Sequence, residues 1–483
     1  MSMLAFTGGT TAAIAWIALP FFVGFSIYLL PKLDRHLALW VALISLGYGL
    51  QQVFAPVPLS LQLLDRFGVT LVVDPLSGYF ILTNALVTAA VILYCWQSDK
   101  TAFFYMQAII LHGSVNAVFI CADFVSLYVA LEVIGIAAFL LIAYPRTDRS
   151  IWVALRYLFV SNTAMLFYLI GAVLVYQANH SFAFAGLQGA PTEAIALIFL
   201  GLLTKGGIFV SGLWLPLTHS ESETPVSALL SGVVVKTGVF PLVRCSLIVA
   251  ELDPIVRIFG VGTALLGVGY AVFAKDTKRM LAFHTISQLG FVLAAPEVGG
   301  FYALTHGLVK AALFLVAGNL PSRKLEALKQ KPIPTPIWIA LAIASFSISG
   351  FPLLSGFGAK VLTMKNLAPW QVIGMNIAAL GTAISFAKFI FLPHGGKGNV
   401  KPGFWPAMTV LLGGLVIANG IYYEAYTVAN IVKPLVTIAI GWLAYLLIFQ
   451  KLKVEIPRIV EKFEHLIGVM TLMLTLLFWM ALA

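Results

Sequence analysis

The chain has 483 residues, of which 60% are hydrophobic and only 10% are charged. Soluble domains carry roughly 25% charged residues, so this composition excludes an ordinary water-soluble protein and predicts a chain that lies mostly in lipid. The formal net charge of +10 would also suit a nucleic-acid-binding protein, but the positions of the basic residues along the chain argue against that class.

The sequence predicts neither a metal centre nor a redox cofactor. Cys95, Cys121 and Cys245 fall singly within apolar runs and lack CxxC spacing. The sequence has no phosphate-binding loop, dinucleotide fingerprint or nucleophile constellation, which makes an enzymatic activity of the chain itself the weakest interpretation. We therefore expect no bound cofactor and no metal.

A membrane-spanning helix needs about 20 mainly apolar residues. The first apolar run has no basic residues before it, which predicts a retained first helix and not a cleaved signal. Residues 59–74 alternate apolar and polar side chains around a glycine, which predicts a short external hairpin on the membrane surface. The sixteen predicted spans are residues 10–30, 36–57, 75–96, 103–122, 123–143, 151–177, 192–215, 225–250, 255–274, 279–298, 299–320, 335–366, 370–392, 403–420, 431–450 and 465–482.

The basic residues indicate an orientation for these spans. With the N-terminus outside, most of the 29 Lys and Arg fall in cytoplasmic segments such as 275–279, 322–331 and 451–462, as the positive-inside rule requires. Both termini are then expected outside the cytoplasm of a bacterial-type energy-coupling membrane, plasma or thylakoid, and no nucleic acid is expected as a partner. Four basic residues lie outside or at the outer rim: Arg66, Arg257, Lys365 and Lys433.

Charged residues near the middle of spans are the strongest functional signal. Lys205, Lys236, Lys310 and Lys360 are central, whereas Glu132 is the only central carboxylate. A charge at the bilayer centre costs about 2.5–3.5 kcal/mol on insertion scales, so these side chains must face the protein interior. One carboxylate can form a static ion pair with one lysine but cannot compensate four, and a hydrated file of lysines that exchange protons explains the set better. Three other basic residues lie near span ends and are expected to snorkel to the interface: Arg156, Arg244 and Lys388.

Histidines extend this pattern. His306 and Lys310 are four residues apart on one predicted helix face, which favours a relay role over simple packing. His284 lies in another span, and His219 lies in a predicted cytoplasmic loop; both are candidates for proton uptake or relay, with an ordinary packing or loop histidine as the alternative. His112 has no ionisable neighbour in sequence and is interpreted as structural.

Two predicted spans, 201–219 and 347–362, carry helix breakers next to a lysine. Such paired interruptions are typical of inverted-repeat transporters, and here each broken span is the fourth of five consecutive spans. We therefore expect an all-α integral membrane protein of about 14–16 transmembrane helices with two inverted five-helix repeats, each with a broken helix. The expected regions are residues 1–102 (N-terminal helices), 103–250 (first repeat), 255–392 (second repeat) and 403–483 (C-terminal helices). The breakers are Gly206, Gly207, Gly212 and Pro216 in the first span, and Gly350, Pro352, Gly356 and Gly358 in the second.

Several motifs, in the same chain order, resemble the antiporter-like subunits shared by Mrp-type multisubunit cation/proton antiporters and the proton-pumping membrane arm of respiratory complex I. The resemblance covers most of the chain. The motifs are VDPLSGYF (73–80), SLYVALEVIGIAAFLL (126–141), WLPLTHSESETPVSALLSGVVVKTGVFPLVR (214–244), KRMLAFHTISQLGF (278–291), HGLVKAALFLVAG (306–318) and SGFPLLSGFGAK (349–360).

The resemblance implies a hydrated axis of charged residues halfway through the membrane. Our hypothesis is that Glu132 pairs with Lys205 in this axis and modulates its protonation. A lysine at position 360 favours the Mrp D-type subunit over the complex I subunit most like it. His284 occupies a place where the family is expected to have a small hydroxyl residue, and the last two predicted spans exceed the fourteen helices usual for the D-type subunit. The matching residues are Glu132 on helix 5, Lys205 on helix 7, Lys236 on helix 8, His306 and Lys310 on helix 11, and Lys360 on helix 12.

The implied function is that of a proton-translocating subunit in a multisubunit cation/proton antiporter, with sodium as the expected cation. The expected partners are other membrane subunits, the lipid bilayer, protons and sodium. Two alternatives remain open at this point. One is the proton-pumping membrane subunit of an NAD(P)H or ferredoxin:quinone oxidoreductase, in which case the chain would be part of a translocating enzyme. The other is a non-conducting structural scaffold.

Overall fold

The computed structural model describes residues 2–55, 57–64, 68–396, 398, 400–452, 454, 456–458 and 461–482. Arg66 and four positions of the predicted cytoplasmic segment 451–462 therefore lie outside the described residues. The helices are α1 (Ser2–Leu29), α2 (Asp34–Val53), α3 (Pro75–Cys95), α4 (Ala102–Val118), α5 (Phe124–Ile142), α6 (Asp148–Asn179), α7 (Thr192–Gly206), α8 (Leu215–Glu221), α9 (Thr224–Leu229), α10 (Lys236–Ile248), α11 (Asp253–Phe273), α12 (Thr277–Ala294), α13 (Gly299–Ala317), α14 (Leu325–Gln330), α15 (Thr335–Ser349), α16 (Ser355–Lys365), α17 (Val372–Ile390), α18 (Phe404–Ala418), α19 (Val428–Ala444) and α20 (Phe463–Leu482).

The prediction of an all-α membrane protein is confirmed. Twelve helical segments of the described chain are long and apolar enough to cross a membrane. The other four predicted spans coincide with α2, α4, α12 and the broken pair α15 and α16. The most apolar windows of segments 224–248 and 296–317 are 100% buried, whereas that of 428–449 is only 17% buried. The segments that contain α10 and α13 therefore form the centre of the protein, and α19 lies at its edge.

The predicted hairpin at residues 59–74 is confirmed as an antiparallel pair, β1 (Leu59–Leu64) and β2 (Gly68–Val73). It is tied to the chain that enters α5, because Val72 N donates to Ile120 O over 2.7 Å. The buried carboxylate of Asp123 accepts from Thr70 N at 2.8 Å and from Ser126 N at 2.7 Å, the second bond capping α5. The hairpin thus fixes the start of the helix that carries Glu132.

Both predicted helix breaks are present, and both are built in the same way. The chain ends α7 at Gly207 and α15 at Gly350, where φ is 70° and 86° respectively. These left-handed conformations favour glycine because it has no Cβ. Each glycine N–H points back to the last carbonyls of its helix, and the chain resumes as a 3₁₀ turn at 209–214 in the first case and as α16 in the second.

A third irregularity was not predicted. Residues Leu230–Val234 form a π-helical turn between α9 and α10, directly before Lys236. Such turns inside helices are frequent at functional sites. All three irregular segments therefore lie within a few residues of a central lysine in sequence or in space.

The glycines between α7 and α10 allow the backbones of these two helices to touch. A Cβ added at Gly238 would lie 2.3 Å from the backbone nitrogen of Gly206 and 2.6 Å from the carbonyl oxygen of Leu202. This close approach brings together the helices of Lys205 and Lys236.

The expectation that Arg244 snorkels to the interface is wrong. Its guanidinium is buried, donates to both carboxylate oxygens of Asp74, and donates to Ser77 Oγ at 2.9 Å. Asp74 lies just before α3 and caps that helix by accepting from Ser77 N at 2.9 Å. Burial alone would raise the pKa of Asp74, but the hydrogen bond and positive charge of Arg244 outweigh it and lower that pKa.

We expect Gly238→Ala to destabilise the protein, because the added methyl group would overlap the backbone of α7. Overpacked buried positions typically lose about 1–3 kcal/mol, and a fixed backbone neighbour leaves little room for relaxation. The measurement is the apparent melting temperature of the detergent-purified protein. Gly269→Ala on α11 is the control, because a Cβ there meets nothing within 4 Å. Equal melting temperatures for the two variants would contradict the close contact.

We expect Asp74→Asn to lower the free energy of unfolding at pH 7 by about 3–5 kcal/mol. This is the usual effect of removing one partner of a buried ion pair, because the other charge is left without compensation. Since the pKa of Asp74 is lowered by folding, the stabilisation is present above the unfolded carboxyl pKa of about 3.9 and is lost as the pH falls through the folded value. The difference between the melting temperatures of the two proteins should therefore become smaller as the pH falls from 7 to 3. A difference that stays constant with pH would exclude this ionised pair.

Candidate functional site

Lys205 lies in the last turn of α7, directly before the first break. Its side chain is buried, and Nζ donates to Ser161 Oγ on α6 at 2.6 Å and to the carbonyl oxygen of Leu131 on α5 at 3.0 Å. Lys205 is therefore solvated by polar groups of two neighbouring helices.

Glu132 follows Leu131 on α5, but within the described chain its carboxylate is not in ion-pairing contact with Lys205. Its Oε1 is buried and has no hydrogen-bond partner among the described residues. The expected direct pairing of Glu132 with Lys205 is thus not formed in this structure, because Leu131 O and Ser161 Oγ take the Nζ protons. The two groups remain neighbours, since a Cβ at Gly135, one turn after Glu132, would lie 3.3 Å from Lys205 Nζ.

Lys236 begins α10 and is completely buried. Its Nζ folds back to the π turn and donates to the carbonyl oxygen of Gly232 at 2.6 Å. On the other side it reaches α13, where a Cβ at Gly307 would lie 3.5 Å from Nζ. Gly307 directly follows His306, so the ammonium of Lys236 lies beside the predicted pair on α13.

Lys310 is also completely buried, and its Nζ donates to the carbonyl oxygen of Leu281 on α12. The ring of Phe314 lies 5.1 Å from Nζ, measured to the ring centroid, a cation–π distance. The surroundings of Lys310 are therefore carbonyl and aromatic, as expected for a lysine that is not held by a carboxylate.

His306 lies between Lys236 and Lys310 on one side and the second helix break on the other. Its ring nitrogens are buried without a hydrogen-bond partner among the described residues. It borders a small cavity together with Gln288, Tyr302 and Ser347 of α15, and Tyr302 donates to Gln288 Oε1 at 2.6 Å. Buried polar groups need hydrogen-bond partners, and a small polar cavity between such groups suits ordered water.

Lys360 lies on α16, after the second break. Its stem packs on the break itself, since a Cβ at Gly350 would lie 2.9 Å from Lys360 Cδ. Its Nζ has no hydrogen-bond partner among the described residues and lies 5.4 Å from the ring centroid of Phe291. The side chain lines a cavity of about 330 Å³ together with Asn376 of α17 and Lys433 of α19.

The two remaining candidate histidines are fully buried. His284 packs on Phe386, with ring centroids 4.7 Å apart. The prediction that His219 lies in a cytoplasmic loop is wrong: it belongs to α8, between Trp214 and Phe314. After the 3₁₀ turn, the broken span continues as α8. The polar residues of α8 had suggested that the span ends at residue 215. His219 and Lys310 thus contact the same phenylalanine ring.

Sequence reasoning missed Lys278, which it placed in a cytoplasmic loop. Lys278 lies in the first turn of α12 and is buried, and its Nζ donates to Ser222 O at 2.8 Å and to Ser227 Oγ at 3.3 Å. Ser227 Oγ in turn donates to the carbonyl oxygen of His219 at 2.8 Å. Lys278 also lines a cavity of about 360 Å³ with Glu223. No local sequence signal marks this burial, which results from the 222–227 segment packing over α12.

Two other basic residues do not snorkel as expected. Lys388 donates to the carbonyl oxygens of Val272 at 2.6 Å and Ala274 at 3.0 Å, so it caps the end of α11. Arg156 donates to the backbone oxygen of Glu461 at 2.5 Å. Both side chains are buried. Neighbouring helices cover these positions, and a prediction that considers each span by itself does not include them.

Comparison with known proteins gives the same family as the motifs. Residues 121–385, more than half of the chain, match the transmembrane family described as NADH:quinone oxidoreductase/Mrp antiporter. The N-type subunit of the NADH-quinone oxidoreductase of Desulforudis audaxviator is 30% identical over 379 residues, covering 70% of this chain and 75% of the relative. The D-type subunit of the Na(+)/H(+) antiporter of Alkalihalophilus pseudofirmus is 28% identical over 353 residues, covering 66% and 70%.

Solved membrane complexes contain chains with the same fold. A chain of the archaeal membrane-bound sulfane sulfur reductase aligns with a TM-score of 0.76 at 22% identity, over 90% of this chain and 99% of the other. A chain of the Mrp complex from Dietzia sp. aligns with a TM-score of 0.72 at 19% identity, over 94% and 99%. The multi-pass membrane fold is therefore confirmed along nearly the whole length. On the family match and the relative at 30% identity, this chain belongs to the NADH:quinone oxidoreductase/Mrp antiporter family of transmembrane proteins.

Proposed function

We propose that this chain is the proton-translocating subunit of a multisubunit sodium/proton antiporter. The observation that carries the proposal is how its central lysines are solvated. Lys205, Lys236 and Lys310 donate to backbone carbonyls, and Lys205 also to a hydroxyl, without a carboxylate contact in the described chain. Carbonyl oxygens accept a hydrogen bond from a neutral amine as well as from an ammonium, so each lysine can lose its proton without leaving an unpaired anion behind.

The proposed lateral axis runs from Glu132 and Lys205 to Lys236, then to His306 and Lys310, and finally to Lys360. The contact between α7 and α10 supports the first transfer, and the approach of Lys236 Nζ to α13 supports the second. The polar cavity beside His306 supports a water-mediated step toward the second break.

Cavities at two places supply the proposed ends of the route. On the side assigned to the cytoplasm by its basic loops, the cavity lined by Lys278 and Glu223 leads, through Ser227, to the backbone of His219. We propose this as the uptake route. The cavity lined by Lys360 contains Lys433, a residue that the charge pattern assigns to the outer side. We propose it as the release route.

Glu132 has a regulatory part in this scheme. Its carboxylate is close to Lys205 but not paired with it, so a modest side-chain movement would bring the two charges into contact. Approach of the carboxylate stabilises the ammonium form of Lys205, and its withdrawal favours release of the proton along the axis. An ion pair that is fixed permanently would hold the proton in place.

A second candidate function is the proton-pumping membrane subunit of an NAD(P)H or ferredoxin:quinone oxidoreductase. The relative from the NADH-quinone oxidoreductase favours it, whereas the lysine at position 360 and the relative from the Na(+)/H(+) antiporter favour the antiporter. The same axis would serve either function. A purely structural scaffold does not account for four lysines buried with one central carboxylate.

We expect Lys205→Ala to reduce proton flux of the native complex in inverted membrane vesicles at least tenfold, because the transfer between the first and second lysines is removed. Lys451→Ala, a change at an exposed residue, is the matched control and should leave flux unchanged. Glu132→Ala should also lower flux, by removing the group that modulates Lys205. Both variants must insert and assemble at the parent level. Normal antiport in both Lys205→Ala and Glu132→Ala would refute this mechanism.

We expect mild-detergent purification of the native complex to yield small hydrophobic membrane subunits and no flavin or iron–sulfur proteins, as identified by mass spectrometry. Sodium-dependent proton flux of the same preparation is the accompanying functional measurement. Co-purification of flavoproteins or iron–sulfur proteins would reject the antiporter in favour of the redox-driven pump. An intact complex that shows no proton flux, driven either by a sodium gradient or by a redox reaction, would favour a purely structural role.

A further inference from the structure

The helix at the C-terminal end of the chain lies on the first broken helix. On α20, one stripe of side chains is buried, and this stripe faces α7 and the 3₁₀ segment 209–214. The spacing of three or four residues is that of one helix face. The buried residues are Leu466, Val469, Met470, Met473 and Leu477.

This position matters because the backbone under α20 is irregular. Gly207 and Phe209 both have positive φ, 70° and 51°, and the helix hydrogen bonds are interrupted there. Irregular backbone at membrane depth is stable only where protein or a water-filled cavity surrounds it, and not against lipid. The apolar stripe of α20 supplies such a cover.

The start of α20 is fixed by a buried carboxylate. Both oxygens of Glu461 accept from Arg279 Nη2 of α12 at 2.6 Å, and the backbone oxygen of Glu461 accepts from Arg156 of α6. Glu461 is 8% exposed. Two residues later, Phe463 packs on Phe159 of α6 with ring centroids 5.1 Å apart. One short segment is thus attached to two different helices.

We propose that Glu461 is a positioning residue: its buried ion pair with Arg279 seats α20 over the break of α7 and so keeps that break, and Lys205 next to it, covered. Arg279 and Glu461 line a cavity of about 400 Å³. Removing the carboxylate lets water from this cavity solvate the guanidinium in place of Glu461, so the ion pair that ties this segment to α12 is lost. The apolar stripe then loses its anchor at the cytoplasmic end. The consequence for proton transfer rests on the function proposed above, whereas the seating of α20 does not.

The test measures how accessible the break is. Ser211 lies in the 3₁₀ segment and is 3% exposed, and all three native cysteines are buried. In Ser211→Cys protein, within the native complex in membranes, we expect N-ethylmaleimide to react slowly. Adding Glu461→Gln should raise the labelling rate at least tenfold, while Glu464→Gln, a change at the exposed carboxylate three residues further on, should not.

Charge reversal distinguishes loss of the ion pair from a nonspecific destabilisation of the protein by the substitution. The pair Glu461→Arg with Arg279→Glu should restore slow labelling, and it should restore accumulation of the protein if Glu461→Gln alone fails to accumulate. Equal labelling with and without Glu461→Gln, or failure of the reversed pair to restore protection, would overturn the proposal.

Proton flux in the same variants tests the consequence for Lys205. We expect Glu461→Gln to lower flux severalfold and the reversed pair to recover it. Fast labelling with unchanged flux would overturn the link to Lys205. Loss of flux in Lys205→Ala is measured separately, so failure of this inference and failure of the proposed function give different results.

Discussion

The structure depends on one constraint: four lysines lie at the centre of a membrane protein that offers them a single central carboxylate. Their amines must be solvated by something else, and backbone carbonyls meet this need. Lys205 and Lys310 donate to carbonyl oxygens of the neighbouring helices α5 and α12, which can accept this bond in addition to their helix bond because a carbonyl oxygen has two lone pairs. Lys236 instead uses an irregular segment, since the π turn presents Gly232 O to it. Close helix packing and buried lysine are therefore two aspects of the same solution.

In the proposed axis, close helix packing determines how far a proton must travel. Glycine at 206, 238 and 307 lets backbones meet where any side chain would hold them apart. The lysine chains consequently extend along the interfaces between helices and reach the next element, instead of turning toward lipid. Beyond His306, a small cavity bordered by Tyr302, Gln288 and Ser347 of α15 lies on the side of the second break. The close contacts that pack the helices would thus also shorten the steps of the proposed axis.

The sequence was informative wherever a residue type has a strong local meaning, and less so where burial depends on another helix. Apolar length gave the spans, glycine and proline gave both breaks, and the four lysines were identified from their depth alone. The π turn has no such marker, since LSGVV also suits an ordinary helix. Lys278 and Arg244 were misplaced because each is buried by a partner distant in sequence, Ser222 and Asp74 respectively. The direct ion pair of Glu132 failed for a related reason: sequence spacing cannot reveal that Leu131 O and Ser161 already satisfy Lys205.

The two breaks are alike in backbone but differ in their surroundings, and in the proposed axis this difference gives proton transfer a direction. The break at Gly207 is covered by α20, and its lysine is held by two hydrogen bonds. The break at Gly350 lies beside a cavity bordered by α19, and Lys360 has no hydrogen bond within the described chain. A proton is better stabilised at Lys205, where hydrogen-bond acceptors are fixed, than at Lys360, whose amine is buried without such an acceptor in the described chain. In the proposed axis, the last two membrane helices therefore have different positions: α20 covers the first break, whereas α19 borders the cavity proposed for proton release at the second.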